Sequence, residues 1–282
     1  MLVLLLSAAL VFSPEDARLA YTVATELVER HTPRDAGTGR GRSAAFCILD
    51  RASAAGADVR LSKFRADTPH GKLGFTNLIA EFVTDPTNDW VVVVSHYDTK
   101  SGIACPGAND GASTSGILVG LANALSSWRE RRGNVMLLWT DGEECMEHYG
   151  ENDGFWGSRK AARDLAESAR TVRAVICIDM LGDSDLSVFI PRNGSKALAK
   201  IALLAAKRSG VGEKTDIETK EIVKDDHVPF LERGFKAIDL IDFDYGPGNA
   251  YWHTKDDTLD HISEDSLLKS GKLIAEMLNI LL

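Results

Sequence analysis

The chain has 282 residues, 44% hydrophobic and 26% charged, enough for one large domain with a substantial core. Its formal net charge of −9 and the lack of a Lys/Arg block argue against nucleic acid as the main partner. Four dispersed cysteines, Cys47, Cys105, Cys145 and Cys177, form no CxxC, which excludes zinc-finger and thioredoxin-type readings.

The opening run MLVLLLSAALVF is apolar but too short to span a bilayer. It has the length of a secretory h-region without a basic n-region. Residues 1–12 therefore read as a leader remnant of an exported protein, and 13–282 as a single domain. Ser13-Pro14-Glu15-Asp16 carries a capping serine, a proline at the first helical position and acids in the first turn, so a helix is predicted to about Arg30. HTPRDAGTGRGR reads as a Gly-rich loop, and 43–55 as a helix stopped by Gly56. GTGRG is no phosphate loop, because no strand precedes it and no GK[ST] follows.

Strands are predicted at 59–65, 75–82, 90–96, 135–140, 172–180 and 237–242. WVVVVSH, VMLLWT and VRAVICIDM are near-continuous apolar runs, as expected of strands covered on both faces. Cys177 within AVICID reads as a small buried hydrophobe. Helices are predicted at 114–129, 156–167, 196–208 and 263–282. Strands alternating with helices indicate an α/β sheet that is largely parallel at its centre.

In such sheets, sites gather beyond the carboxyl ends of the strands. Four of those ends carry ligand-type residues here: His96 and Asp98, then Asp141, Glu143 and Glu144, then Asp179, then Asp239 and Asp242 with His253 after a loop. Asn109-Asp110-Gly111 opens a helix between the first two. Singly, each acid reads as a turn residue or cap. Converging, they would repel, and a divalent cation resolves that cost. Mixed imidazole nitrogen and carboxylate oxygen suits zinc.

The ordered set SHYDTK, GANDGAS, TDGEE, CIDMLGD, DDHVPFLERG and WHTKDDT resembles the M28 zinc peptidase family, over about residues 68 to 282. That family includes two-zinc aminopeptidases and glutaminyl cyclases. TPHGKLGFTN and EHYGENDGFWGSR resemble the glutaminyl-peptide cyclotransferase branch. The resemblance implies a three-layer α/β/α fold with a central twisted, mixed, mostly parallel sheet of about six strands. It implies zinc ligands at Asp110, Glu144 and His253, a general base and acid at Glu143, and a supporting hydrogen-bond network with Asp179 and Asp225. His96 and Asp179 match ligands of a second metal in the peptidases. Trp252 and Tyr149 match walls of the substrate pocket.

Three departures stand out. Asp239 replaces the histidine usual in animal cyclases, Tyr149 replaces their tryptophan, and Ser95 stands where they have a disulfide cysteine. The expected activity is conversion of an N-terminal glutamine to pyroglutamate with release of ammonia, on peptide or protein N-termini, with one zinc. The alternative is a two-zinc aminopeptidase. A non-catalytic binding domain of the same fold is a lesser alternative, because the base and ligands are all present. His227 reads as structural, His148 as lining the entrance with Tyr149, Lys100 as an exposed charge near the mouth, and Asp256-Asp257 as a turn cap.

Overall fold

The structure is a computed structural model that describes residues 9–218 and 221–282. The first eight residues of the expected leader remnant lie outside the described residues. Helix α1 (Pro14–His31) begins where its cap predicts: the Ser13 hydroxyl accepts from the Asp16 amide at 3.2 Å, and the Asp16 carboxylate accepts from the Ser13 amide at 2.7 Å. Helix α2 (Gly39–Ala54) starts earlier than expected. The Thr38 hydroxyl accepts from the Gly41 amide at 3.1 Å, and this cap makes the second half of the expected loop helical despite its glycines.

Eight strands form one sheet: β1 (Val59–Thr68), β2 (Gly71–Phe82), β3 (Trp90–His96), β4 (Asn134–Thr140), β5 (Val172–Asp179), β6 (Val188–Pro191), β7 (Thr215–Glu218) and β8 (Ala237–Ile241). Their order is β1-β2-β4-β3-β5-β8-β6-β7. The centre, β4-β3-β5-β8, is parallel, and antiparallel pairs flank it, as expected of a mixed sheet. Two strands exceed the expected six. β6 and β7 are four residues each at one edge, too short to show a period, and β6 ends on Pro191. β1 and β2 extend further than predicted and meet in a hairpin at Pro69-His70, with Thr68 paired to Gly71.

Alternate residues of the central strands feed two cores, which is why these strands read as unbroken apolar runs. Val91, Val93, Leu137 and Ile176 face α1, α2, α3 (Thr114–Ser127), α5 (Lys196–Ser209) and α7 (Glu264–Leu281). Val92, Val94, Leu138 and Cys177 face α4 (Trp156–Glu167) and α6 (His227–Glu232). The result is helices on both sides of the sheet. Leu10 and Phe12 are buried, and the Phe12 ring lies where a Cβ on Gly120 or Gly271 would be. These two residues pack into the domain although the expected boundary falls after them. All four cysteines are free. No helix among the described residues is long and apolar enough to cross a membrane.

Candidate metal centre and active site

The parallel strands β3, β4, β5 and β8 end side by side, so the polar residues that follow their apolar runs meet above the sheet. His96 ends β3, and its Nε2 lies 3.1 Å from both Asp110 Oδ1 and Asp179 Oδ1. Asp179 ends β5. On the other side of Asp110, His253 Nε2 lies 3.3 Å from Asp110 Oδ2 and 2.8 Å from Glu144 Oε1. Asp110 is thus shared by two groups of three donors, His96-Asp110-Asp179 and Asp110-Glu144-His253, each with ligand atoms within 4.8 Å of one another. Two imidazoles and three carboxylates without a thiolate fit zinc.

The loops are built to hold these donors. Asp110 sits in one wide turn (Ala108–Ser113) with non-helical backbone at Asp110 and Gly111. Gly111 has φ +90°, and a Cβ there would lie 2.9 Å from the Asp98 carbonyl and 3.0 Å from the His96 ring, so only glycine fits. Asp257 grips this turn from below: its carboxylate accepts from the Asn109 amide at 2.7 Å, the Asp110 amide at 3.2 Å and the Tyr245 hydroxyl at 2.9 Å. Fully buried Arg34 donates to the carbonyls of Tyr97, Pro106, Gly107 and Asp110 from the segment before α2. His253 has φ +55°, a left-handed conformation uncommon for a non-glycine residue at a site that uses its side chain.

The turn after β4 separates the adjacent glutamates. The Asp98 carboxylate accepts from the amides of Gly142, Glu143 and Glu144 at 3.0, 3.1 and 3.2 Å, which fixes the backbone of the turn. Glu144 then meets His253, whereas Glu143 meets no imidazole. The Tyr149 hydroxyl lies 3.3 Å from both Glu143 oxygens and 3.4 Å from Glu144 Oε2. The Phe155 and Trp156 amides donate to the Glu143 and Gly142 carbonyls and close the loop that brings Tyr149 back.

The electrostatics match this crowding. Burial, then the Glu144 charge, pushes Glu143 well above the usual carboxylate range. Burial and Asp110 raise Glu144 to about 7. Burial opposes charge on His253, but its bonds to Asp110 and Glu144 prevail and raise it to about 10. Asp110 itself opposes burial through its two histidines and is held far below the usual range. Behind them, burial and neighbouring acids raise Asp225 and Asp239 well above the usual range. Both Asp239 oxygens and His227 Nδ1 lack hydrogen-bond partners among the described residues, so a protonated Asp239 is the form this setting favours.

A cleft of about 280 Å³ opens over the donors. Asp110, Glu143, Glu144, Asp179, Asp225 and His253 line its base, with Tyr149 and Trp252 at its sides. Trp252 stacks on His253 with centroids 4.0 Å apart and leans on Phe243 at 4.9 Å. Asp110, Glu143, Glu144, Asp179, Asp225, His253, Tyr149 and Trp252 therefore meet here with His96 beside them, whereas Asp141 and Asp242, also named at strand ends, lie outside the cleft and accept from the Thr76 and Ser187 amides. Others differ from expectation. His148 is exposed and does not line the cleft. Lys100 is not a free surface charge: its Nζ donates to the Cys145 carbonyl at 2.6 Å and lies 3.7 Å from Glu144. Asp257 is an anchor of the Asp110 turn rather than a turn cap, and Arg34 carried no local signal at all. His227 is fully buried, with Nε2 2.8 Å from the Asn193 amide nitrogen, and its ligand atom groups with those of Asp225 and Asp239.

A sheet of parallel strands whose carboxyl ends gather buried imidazoles and carboxylates is the framework of a metal-dependent α/β enzyme. The chain belongs to Peptidase family M28, whose model matches residues 77–278. It is 29% identical to the glutaminyl-peptide cyclotransferase of Drosophila melanogaster over 77% of this chain and 69% of that one. The crystal structure of an Acidobacteriales bacterium glutaminyl cyclase is similar with a TM-score of 0.90 at 29% identity, covering 100% of this chain and 98% of that chain. A leucine aminopeptidase precursor from Bacteroides thetaiotaomicron has the same fold, with a TM-score of 0.85 at 22% identity over 97% and 99% of the two chains. The fold class and the enzyme assignment read from the sequence are borne out.

Proposed function

We propose that the protein is a zinc-dependent glutaminyl-peptide cyclotransferase that converts N-terminal glutamine to pyroglutamate and releases ammonia. The carrying observation is the division between the two glutamates: Glu144 bonds the His253 imidazole at 2.8 Å, while Glu143 faces the open cleft unligated. Asp110, Glu144 and His253 would hold a zinc ion, which would supply Lewis acidity toward the carbonyl of the glutamine side-chain amide.

The reaction joins the α-amine nitrogen to that carbonyl carbon and breaks its bond to the amide nitrogen. Glu143 accepts a proton from the attacking amine and returns it to the departing nitrogen, which leaves as ammonia. Its raised proton affinity suits both halves of this transfer. The Tyr149 hydroxyl orients Glu143 from the cleft side. Asp179 and Asp225 line the cleft opposite, and Asp225 packs against Asp179 and Asp226, which favours its protonated, hydrogen-bond-donating form. Trp252 and Phe243 shield the site, which matters because no water takes part.

The second reading is an aminopeptidase. It is favoured by the second donor group, His96-Asp110-Asp179, which is complete for another ion. Glu143 would then deprotonate a water, and the product would be a free N-terminal residue. Incubating zinc-loaded protein with Gln-initiated and Leu-initiated peptides separates the readings by mass. Loss of one ammonia from the Gln peptide is expected. Release of free leucine would instead support the aminopeptidase, and neither product, with metal bound, would support the non-catalytic domain.

A further inference from the structure

Next to the catalytic cleft lies a larger one of about 830 Å³, and the two share Tyr149 and Lys224 as a common wall. Tyr149 stacks on Phe155 with centroids 4.7 Å apart, and the Arg159 guanidinium sits 5.9 Å over the Phe155 ring. Tyr149 thus touches Glu143 with its hydroxyl and packs with its ring on Phe155, which lines the larger cleft. Its floor is aromatic: Phe64 and Trp156 both stack on Phe75, at 5.5 and 5.0 Å. Its walls carry Arg65, Arg159, Lys160, Arg163, Lys224 and Arg233, against only Asp67, Glu151 and Glu232.

The balance of charge is sharper than that count. Asp67 is paired with Lys72 at 3.8 Å, and Lys160 is paired with Asp164. Arg163, Lys224 and Arg233 are exposed and form no ion pair among the described residues. In a chain of net charge −9 the basic lining runs against the surface average. A concave wall of one sign concentrates the field and attracts the opposite charge.

Resting on the proposed function, we propose that this cleft binds the peptide segment that follows the reacting N-terminal glutamine, and that its preferred occupant carries acidic side chains. An extended peptide advances about 3.3–3.6 Å per residue, so with glutamine over the metal donors the next three residues pass Tyr149 and enter the basic cleft. The aromatic floor accepts the extended backbone, while Arg163, Lys224 and Arg233 meet the acids. The cleft acts on KM through binding and association, not on the chemistry.

The test compares Gln-Ala-Glu-Glu-amide with Gln-Ala-Lys-Lys-amide by ammonia release from zinc-loaded protein. At an ionic strength of about 0.01 M the acidic peptide is expected to have about tenfold higher kcat/KM, mostly through KM, and the ratio is expected to fall below about threefold at about 0.5 M salt. The double substitution Arg163→Glu and Arg233→Glu is expected to bring the ratio to one or below. Equal kcat/KM for the two peptides at low salt would overturn the assignment. Glutamine amide, too short to enter the cleft, reports on the cyclase reading alone. Should no glutamine substrate release ammonia, that reading fails, and binding of the two labelled peptides to Glu143→Gln protein still decides the cleft. Tighter binding of the acidic peptide supports it, and equal affinity overturns it.

Discussion

The layer formed by α1, α3 and α7 and the carboxyl ends of β3, β4, β5 and β8 are both buried, but they are held by opposite means. In the layer, Phe12, Val23, Leu27, Ile117, Leu273 and Leu278 are almost entirely excluded from solvent, and the few buried polar groups are neutralised locally: Asp16 accepts from the Asn123 side chain at 2.7 Å, and the Ser270 hydroxyl donates to the Leu181 carbonyl at 2.8 Å. The helices approach closely because glycines line the contacts; a Cβ on Gly116 would lie 2.3 Å from the Ala20 carbonyl oxygen. Such burial stabilises the fold without further help. At the strand ends Asp98, Asp110, Glu143, Glu144, Asp179 and Asp225 are equally hidden, and buried charges of one sign cost stability unless a cation or proton offsets them. One region makes the fold; the other draws on its stability to make a site.

Breaking the apolar region gives the largest expected effect. Phe12→Ala leaves a void against Gly120 and Gly271 and is expected to cost about 3–5 kcal/mol in urea unfolding, with kcat of the folded fraction retained. An unchanged midpoint would show that residues ahead of α1 are not part of the core.

Removing the cation breaks the other side. Metal-free protein is expected to melt about 5–10 °C below zinc-loaded protein at saturating zinc. The pH dependence has a definite sign. Burial raises Asp226 to about 6, Glu144 and Asp242 to about 7, and Asp141 to about 8. The folded state then holds more protons than the unfolded one above about pH 4, so metal-free stability falls as pH rises toward 8. With zinc bound, Glu144 no longer contributes and the slope flattens. Melting curves at pH 5, 6, 7 and 8 with and without zinc check this; parallel slopes would count against Glu144 as a ligand.

A finer change sharpens the comparison. Asp257→Asn keeps the volume but offers one acceptor oxygen to the amides of Asn109 and Asp110 and to Tyr245, where the carboxylate offers two. About tenfold weaker zinc binding is expected by competition with a chromophoric chelator, with little change in melting of the metal-free protein. Unaltered affinity would mean that the Asp110 turn holds itself.

These two regions also differ in how far they could be read from sequence. The apolar runs of the central strands named three of the six expected strands and their two-sided covering, because hydrophobic patterning is a local property. β6 and β7 escaped because four residues each, VFIP ending in proline and TDIE mostly polar, are too few to show a period. Donor residues were legible as types placed after strands. Their anchors were not. Arg34 reaches carbonyls of residues 97, 106, 107 and 110 from a loop before α2, a contact created only by folding. Asp257 follows His253 in a pattern that a turn cap and a metal-turn anchor share.

The division of labour between Glu143 and Glu144 is the centre of this account, and one paired measurement tests it: zinc content and ammonia release of Glu143→Gln beside Glu144→Gln. Glu143→Gln is expected to keep full zinc content and lose about 10²–10⁴ in kcat, whereas Glu144→Gln is expected to release zinc on dialysis. A Glu143→Gln protein that turns over glutaminyl peptides at the native rate would contradict it.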